Sequence, residues 1–438
     1  MLAYYLNLGL RSLKRNPALT ALMVMTIGFG VAASMTTWSV FRAVSGDPIP
    51  WKSAKLFVPQ VDAWGPARRG DSGNPPEAMT YADATNLVRA HRARYQSAMY
   101  RIGPSVVPSK PGQHPFRTEG HAVGSEFFPM LDVPFRYGGP WSAEADTQRA
   151  RVAVISSQLN DKLFGGANSV GKTINIDGSE YRISGVTDNW NPQPRFYDVV
   201  NSGSFRADVE GVFIPFTTAI DVGMTNNGNT NCYEAPKEPG FAGLQHSECV
   251  WIAFMVELDD AAQVAAYTRF LDGYAREQQQ AGRFTWAPNN RLRNLTEWLA
   301  YEHVVPDDSR TSLLVALGLL LVCLVNTAGL LLAKFLRRAP EIGVRRALGA
   351  ARREIYLQFL VEAAMVGLAG GVLGLVLTGL GVLGIGWVMP HDIAVLARVD
   401  ASLLGLTLLL AIVATALAGL YPTFRAARVQ PAWQLKSN

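Results

Sequence analysis

Hydrophobic residues are concentrated in four long segments of the chain. Each segment is apolar over about 20 residues or more, the length that an α-helix needs to cross ~30 Å of hydrocarbon. The predicted membrane spans are 17–44, 312–334, 358–388 and 402–422. A cleaved signal peptide is an alternative for the first segment, but its apolar stretch is too long and no small-x-small cleavage site follows closely.

The polar regions between these segments differ greatly in length. Region 45–311 is long enough for a large folded domain, whereas 335–357 and 389–401 are short connections, and 1–16 and 423–438 are tails. Only 17% of the residues are charged and 49% are hydrophobic, compared with about 25% charged in ordinary soluble domains. The sequence therefore predicts a membrane protein with one large polar domain.

Basic residues beside the spans predict the orientation of the chain, because short cytoplasmic segments carry an excess of Lys and Arg. The tails and the connection after the second span contain 13 basic residues and two acids, Glu341 and Glu354, a net charge of +11. Since the whole chain is +5, the remainder is −6. We predict that both termini and 335–357 are cytoplasmic. Region 45–311 and the loop 389–401 are then outside, so the basic pI reflects topology and not nucleic-acid binding.

The N-terminal tail has helical periodicity. Leu2, Leu6, Leu10 and Leu13 recur at helical spacing, with basic residues on the other faces. We predict an amphipathic helix in 1–16 that lies in the inner membrane surface and contacts its lipids. A disordered basic tail is the alternative.

The large outer region alternates strand and helix patterns. Predicted strands are 56–64, 249–258 and 283–288, and predicted helices are 79–95 and 259–280. Two strand–helix–strand units therefore flank a middle region. We predict an α+β subdomain made from about 52–135 and 247–292, with a β-rich subdomain, about 136–246, inserted into it.

One motif in the insertion has the letters of a nucleotide-binding site. The stretch GGANSVGKTINI (165–176) contains Gly166-x-x-x-x-Gly171-Lys172-Thr173, the P-loop pattern. A P-loop follows a buried strand and opens a helix, whereas this stretch follows a predicted helix and opens a predicted hairpin around Asp177-Gly178. We therefore predict a turn on the outer side of the membrane, and a chain that does not itself hydrolyse ATP.

Glycines in the third span form a second nucleotide-like pattern. Gly379-x-Gly381-x-x-Gly384 matches the dinucleotide fingerprint in letters only, because it lies in an apolar run and not in a βαβ unit. Together with Gly367, Gly370, Gly371 and Gly374, these glycines are predicted to allow close helix packing.

Cysteine and histidine residues provide few candidate sites. Cys232 and Cys249 both lie in the outer region, where a disulfide survives; the alternative is two unpaired small residues. Cys323 is expected only to pack in its span. His121, His246 and His303 are scattered without metal-ligand spacing, so no metal site or enzyme active site is predicted.

The connection between the second and third spans is the most informative segment. Pro340 and Glu341 fit the first turn of a short helix, and Gly349 is placed to end it in a left-handed cap. A second helix beginning near 351 leads into the third span. A short rigid helix at this place is suited to transmit force, although the charges fit a plain positive-inside connector equally well.

This connection resembles the signature of the FtsX/MacB-type ABC transporter permeases. The resemblance rests on EIGVRRALGA (341–350), on the E-A-x-x-x-x-x-x-GG pattern from Glu362 to Gly371, and on GLYPTFRAARVQPAWQLK (419–436). The outer stretch LFGGANSVGKTINIDGSEYRISGV (163–186) is similar to the hairpin region of that family's periplasmic core domain. The order of one span, a large outer domain and three further spans also matches.

The resemblance implies a mechanotransmission permease of the bacterial inner membrane. It implies porter-like and sabre-like subdomains in the outer domain, and a cytoplasmic ABC ATPase dimer that binds the short helix. ATP and Mg would be used by that partner, with no cofactor in this chain. The coupling residues would be Glu341, Ile342, Arg345, Arg346, Leu348 and Gly349. The N-terminal tail is too short to hold the ATPase that MacB itself carries, so a separate ATPase is expected.

Several functions fit such a permease. The leading hypothesis is a MacB-like exporter of peptides, antibiotics, siderophores or similar cargo, which works with a second permease copy or a related permease, an adaptor protein and an outer-membrane channel. The alternatives within the family are lipoprotein extraction and regulation of cell-wall hydrolases. An ATPase-independent membrane sensor is the alternative from another class, and it would not need the short coupling helix.

Overall fold

The computed structural model describes most of the 438 residues and divides them into two compact units. The described residues are 16–69, 73–109, 112–203, 205, 208–305, 307–388 and 401–427. Asp47–Val305 forms one unit, which we call the large domain; the other, the membrane unit, combines the segments before and after it. The predicted N-terminal helix, the loop 389–401 and the C-terminal tail lie almost entirely outside the described residues.

Within the described residues, the membrane unit contains four long apolar helices and a short one. The long helices are Pro17–Ser45, Asp307–Leu336, Arg352–Val388 and Ala401–Ala427, numbered first to fourth in chain order. Each is long and apolar enough to cross a membrane. The short helix, Ala339–Ala347, connects the second to the third and is called the linker helix. The four predicted spans are thus confirmed as four helices.

Glycines allow the long helices to approach closely. A Cβ placed on Gly367 would lie 2.8 Å from Cβ of Thr415 in the fourth helix, and one on Gly370 would lie 2.7 Å from Cγ2 of Ile27 in the first helix. Small residues at helix interfaces permit this approach where lipid surrounds the helices. The packing prediction does not hold for all seven glycines, since nothing lies within 4 Å of a Cβ built at Gly379 or Gly384.

The large domain is built on one mixed β-sheet. Its strands within the described residues are β1 Leu56–Gln60, β2 Tyr95–Ile102, β3 Ser105–Val107, β4 Phe116–Arg117, β5 Gly120–Val123, β6 Phe135–Gly138, β7 Val152–Ser156, β8 Thr173–Ile176, β9 Ser179–Thr187, β10 Val212–Pro215, β11 Ala253–Glu257 and β12 Arg291–Asn294. They pair in the order β12-β1-β11-β2-β5-β10-β7-β9-β8-β3-β4, and β6 also pairs with β9. β10 with β5 and β7 with β9 are parallel pairs, whereas the other pairs are antiparallel.

Strands from the two chain regions predicted as subdomains lie in different parts of this sheet. β1, β2, β11 and β12, from the two ends of the domain, lie together, and β7, β8 and β9, from the predicted insertion, lie in the other half. The halves are not separate folds, because parallel pairing of β10 with β5 joins them into one sheet. β3 and β4 also differ from the prediction, since they extend the insertion half beyond β8.

Both faces of the sheet are buried. Along β2, Ala98 and Tyr100 belong to one core cluster and the intervening Met99 to the other, as expected from side chains that alternate between the faces of a strand. The α-helices of the domain within the described residues are Tyr81–Ala90, Phe127–Met130, Ala143–Thr147, Ser157–Phe164, Val199–Ser202, Phe216–Asp221, Gly240–Gln245, Ala261–Gln280 and Leu295–Tyr301. The long helix Ala261–Gln280 contributes Tyr267 and Leu271 to the first cluster.

One predicted strand is wrong. Residues 283–288 form no strand, and the strand that pairs with the outer side of β1 is β12, a few residues later. The side chains explain the difference, because Arg283 binds Asp83 and Glu248 and Trp286 Nε1 donates to the carbonyl of Asp62. These side-chain bonds fix the segment as a loop.

Candidate functional site

The linker helix has the start and end signals that the sequence indicates. Pro340 lies in its first turn with Glu341, and Arg345 and Arg346 lie in its last turn. This arrangement places negative charge at the N-terminus and positive charge at the C-terminus of the helix, where the helix dipole favours them. Gly349 follows with a φ of +98°, a backbone conformation that glycine adopts without the steric cost of a Cβ.

The two faces of the linker helix have different environments. Ile342 is 4% exposed and packs in a core cluster with Phe335 and Phe359. Val344 and Leu348, one turn apart on another face, are 53% and 82% exposed. The family resemblance included Ile342 among the coupling residues; its side chain is buried here, because the helix needs an apolar face against the neighbouring spans.

Three charged residues orient this helix against the third membrane helix. Glu341 Oε1 lies 2.6 Å from Nη2 of Arg345, one turn later. Nη1 of Arg345 donates to Oε1 of Gln358 at 3.0 Å, and Nε of Arg338 lies 3.4 Å from Oε2 of Glu341. Of the residues expected to contact a partner, Glu341 and Arg345 are thus bonded to each other, Arg346 is half-buried, and Leu348 and Gly349 are exposed.

A buried ion cluster lies beside the linker helix. Glu362 of the third helix accepts a hydrogen bond from Nη1 of Arg338 at 2.9 Å, and its Oε1 lies 2.9 Å from Nζ of Lys334 in the second helix as an ion pair. The side chains of Lys334 and Glu362 are 1% and 2% exposed. Sequence reasoning assigned no role to this cluster. The sequence nevertheless carries a signal for it, namely Glu362 inside the third apolar segment. An ionisable residue inside a membrane span is energetically costly and marks a functional candidate.

The P-loop-like stretch is a turn between a helix and a strand. Helix Ser157–Phe164 precedes it and β8 follows. The backbone N–H of Gly171 donates to the carbonyl of Ile183, and that of Lys172 donates to the carbonyl of Ser169, so both amides already have partners in the turn. Nζ of Lys172 lies 5.3 Å from the ring centre of Phe164. The stretch therefore does not have the strand–loop–helix geometry of a phosphate cradle.

A disulfide joins Cys232 and Cys249 in the large domain. It closes a segment with a sequence separation of 17 residues, and an isolated bridge between Asn231 and Val250 lies next to it. Cys323 is a free cysteine in the second membrane helix. The bond ties a loop that has little regular secondary structure to the strand region before β11.

The three histidines do not form a common site. His246 and His303 are exposed or nearly so, and His246 Nδ1 lies 3.2 Å from Glu238. His121 is completely buried in β5, where Nε2 lies 2.9 Å from Asp198 and Nδ1 lies 3.2 Å from Glu210. Arg195 completes this cluster through Glu210. All members of the cluster are buried, so the arrangement lies in the interior of the large domain and supports its fold.

Family comparisons agree with this architecture. Residues 20–271 match the MacB-like periplasmic core domain family, which is more than half of the 438 residues. Residues 313–431 match the FtsX-like permease C-terminal family. The chain belongs to the MacB/FtsX-type ABC transporter permeases. The resemblance stated from the sequence is confirmed, as is the fold class of four membrane helices with a large α+β domain between the first two.

Two curated relatives are longer than this chain. Macrolide export ATP-binding/permease protein MacB of Wolinella succinogenes is 25% identical over 385 residues, which are 86% of this chain and 52% of that protein. The protein of the same name from Burkholderia cenocepacia is 28% identical over 265 residues, 60% of this chain and 33% of its own length. The chain thus spans about half the length, or less, of these relatives.

Two solved structures are similar to part of this chain. The periplasmic region of MacB from Actinobacillus actinomycetemcomitans has 13% sequence identity and a TM-score of 0.35, and covers 60% of this chain and 95% of its own. The extracellular domain of the noncanonic ABC-type transporter YknZ from Gram-positive bacteria has 14% identity and a TM-score of 0.33, and covers 55% and 100%.

Proposed function

We propose that this permease couples ATP hydrolysis by an ATP-binding partner to conformational change in its large domain. The observation that carries the proposal is the linker helix, which exposes Val344 and Leu348 while its other side is bonded to the third membrane helix. An exposed apolar pair on a short, anchored helix is suited to enter a groove on a partner protein. Leu348, Val344 and Gly349 are the proposed contact residues, and Glu341, Ile342 and Arg345 hold the helix in position.

The proposed orientation places the linker helix and both termini in the cytoplasm of a bacterial inner membrane. Its support is the charge asymmetry, since the tails and the connection after the second span carry a net charge of +11 and the remainder of the chain −6. The large domain is then periplasmic. A disulfide in that domain agrees with this placement, because disulfides persist in oxidising compartments.

ATP and Mg are proposed to be bound by the partner, an ABC ATPase dimer, and not by this chain. The family supports this division, since it is a permease family, and the relatives' name combines an ATP-binding part with a permease. The proposed assembly has two permease copies, or this permease and a related one. It exports peptides, antibiotics, siderophores or similar cargo, with a periplasmic adaptor and an outer-membrane channel.

Copurification from a mild detergent tests the proposal. The substitution Leu348→Asp should remove the ATP-binding subunit from the purified chain, because it places a charge on the proposed contact face, while Leu348→Met should retain it. Both variants keep the fold, since residue 348 is 82% exposed. The proposal is wrong if no ATP-binding subunit accompanies the wild-type chain, or if Leu348→Asp binds that subunit as well as wild type does. An ATPase-independent sensor is then the better hypothesis.

A further inference from the structure

We propose that Lys334, Arg338 and Glu362 form a latch that makes the linker helix move together with the second and third membrane helices. The latch deepens the proposed function and rests on it, because it explains how a force on the linker helix reaches the membrane unit. Glu362 is a positioning residue in this proposal: it acts on the partner-facing surface through Arg338 and the linker helix.

Burial fixes the positions of the latch residues. Glu362 forms ion pairs with two cations, Lys334 and Arg338, each at 2.9 Å, and the pair with Lys334 is almost completely removed from solvent. A charge in such surroundings is strongly destabilising when its partner is removed. The three side chains are therefore held together far more firmly than an exposed surface ion pair would be.

The linker helix is attached to the third membrane helix at two points. Arg338, directly before the linker helix, binds Glu362, and Arg345, in its last turn, binds Gln358. Gln358 and Glu362 are four residues apart, so they lie on the same face of the third helix. Glu341 lies between the two arginines and binds both. Two attachments on one helix face oppose rotation as well as separation of the linker helix.

The latch also joins two helices that otherwise pack against the same two neighbours and not against each other. The second and third membrane helices pack mainly against the first and fourth. Near the linker helix they meet through the Lys334–Glu362 pair and through Phe335 and Phe359, whose ring centres are 4.4 Å apart. Apolar contacts are non-directional, whereas charge-assisted hydrogen bonds are short and directional. The hydrogen bond from Arg338 to Glu362, supported by the Lys334–Glu362 ion pair, therefore determines the direction in which these helices follow the linker helix.

The chain alone, in nanodiscs, provides a test that does not depend on the ATPase. Glu362→Gln by itself leaves Lys334 buried without its charge partner. Its effect on hydrogen exchange therefore combines lower stability of the fold with lost positioning of the linker helix. The double variant Lys334→Met with Glu362→Gln removes both charges, a replacement that buried ion pairs often tolerate. With the latch broken, hydrogen exchange of the amides in Ala339–Ala347 should rise about tenfold or more, while exchange in the first and fourth membrane helices stays unchanged.

Two further variants complete the test. Glu354→Gln removes an acid from an exposed position two turns earlier on the third helix and should leave exchange of the linker helix at the wild-type rate. Arg345→Gln, at a partly exposed position, breaks only the second attachment and should raise exchange less than the double variant does. Wild-type exchange in both the double variant and Arg345→Gln would overturn the latch.

The assembled complex separates this inference from the proposed function. The double variant should still bind the ATP-binding subunit, because Val344 and Leu348 are unchanged, but its ATP-dependent change in protease protection of the large domain should be lost. Retention of that change at the wild-type level would overturn the latch and leave the proposed function intact. Absence of any binding subunit, even in wild type, would instead contradict the proposed function, and the exchange experiment would still decide whether the latch exists.

Discussion

His121 Nε2 lies 2.9 Å from Oδ2 of Asp198 in the interior of the large domain, and both side chains are completely buried. Ser202 Oγ lies 3.1 Å from the same nitrogen, and Glu210 lies on the other side of the ring. Burial by itself lowers the pKa of His121, but the carboxylates of Glu210 and Asp198 outweigh it and raise the pKa to about 9. A charged histidine therefore connects β5 to the segment between β9 and β10.

This pair predicts a pH-dependent stability of the large domain. The folded pKa of His121 is about 9, above the ordinary value of about 6.5 in an unfolded chain. The stabilisation is thus fully present below pH ~6.5 and is lost as the pH rises through 9, with a size of up to about 3 kcal/mol. Chemical unfolding of the full chain, followed by tryptophan fluorescence between pH 6 and 9.5, measures it.

The variant His121→Gln should unfold more readily at pH 6.5 and should lack most of this pH dependence. His246→Gln is the matched control, because His246 is exposed and its ion pair with Glu238 contributes little. Equal pH profiles for wild type and His121→Gln would contradict the assignment of the charged state.

Removal of the disulfide should destabilise the large domain. The bond closes a segment with a sequence separation of 17, and a loop of that size predicts a loss of about 3 kcal/mol through greater freedom of the unfolded chain. We expect the double variant Cys232→Ser with Cys249→Ser to melt at a lower temperature than wild type, and reductant to shift only the wild type. Cys323→Ser, outside the large domain, should keep the response to reductant; a wild type insensitive to reductant would argue against the bond.

Lys172→Ala should leave ATP turnover of the assembled complex at the wild-type rate. Lys172 lies in a turn between a helix and β8, and its side chain lies near the ring of Phe164. Loss of the cation–π contact should lower the free energy of unfolding by about 0.5–1 kcal/mol. The rate of ATP turnover should not change. If Lys172→Ala abolished nucleotide binding by the chain alone, that result would contradict the turn described for this stretch and the proposal that the partner binds ATP.

Gly367→Ala should loosen the packing of the third and fourth membrane helices. A Cβ at this position would lie 2.8 Å from Cβ of Thr415 and 3.0 Å from the backbone oxygen of Ala411, and the backbone cannot move aside cheaply. Overpacking of this kind costs about 1–3 kcal/mol. The temperature at which the protein aggregates in detergent measures this loss of stability, and it should be lower for Gly367→Ala than for wild type. Gly379→Ala in the same helix is the control, because nothing lies within 4 Å of its Cβ, and it should be neutral or slightly stabilising.

Local patterns predicted much of the fold. The four apolar segments predicted the four membrane helices, and the Asp177-Gly178 signal predicted the hairpin of β8 and β9, in which both turn residues have positive φ. The joining of the two predicted subdomains was not predictable in the same way. It depends on parallel pairing of β5 with β10, and residues about 90 positions apart carry no local signal of that pairing.

The candidate site was predicted in outline and not in detail. Pro340, Glu341 and Gly349 predicted a short helix with its start and end, and the structure has it. The inward position of Ile342 and the bonds of Arg345 to Glu341 and Gln358 depend on how the helix is rotated against the third membrane helix. A nine-residue helix has too few turns for its periodicity to fix that rotation.

The sequence by itself determined the order of the membrane helices, the large domain between the first two and the family signature, because hydropathy, turn residues and charge asymmetry act over short distances along the chain. Tertiary structure decided which charges meet. Lys334 and Glu362, and His121 and Asp198, are paired by the packing of distant segments. Burial then makes each pair obligatory, since an ionised group removed from water is stable only beside a partner that the fold brings to it.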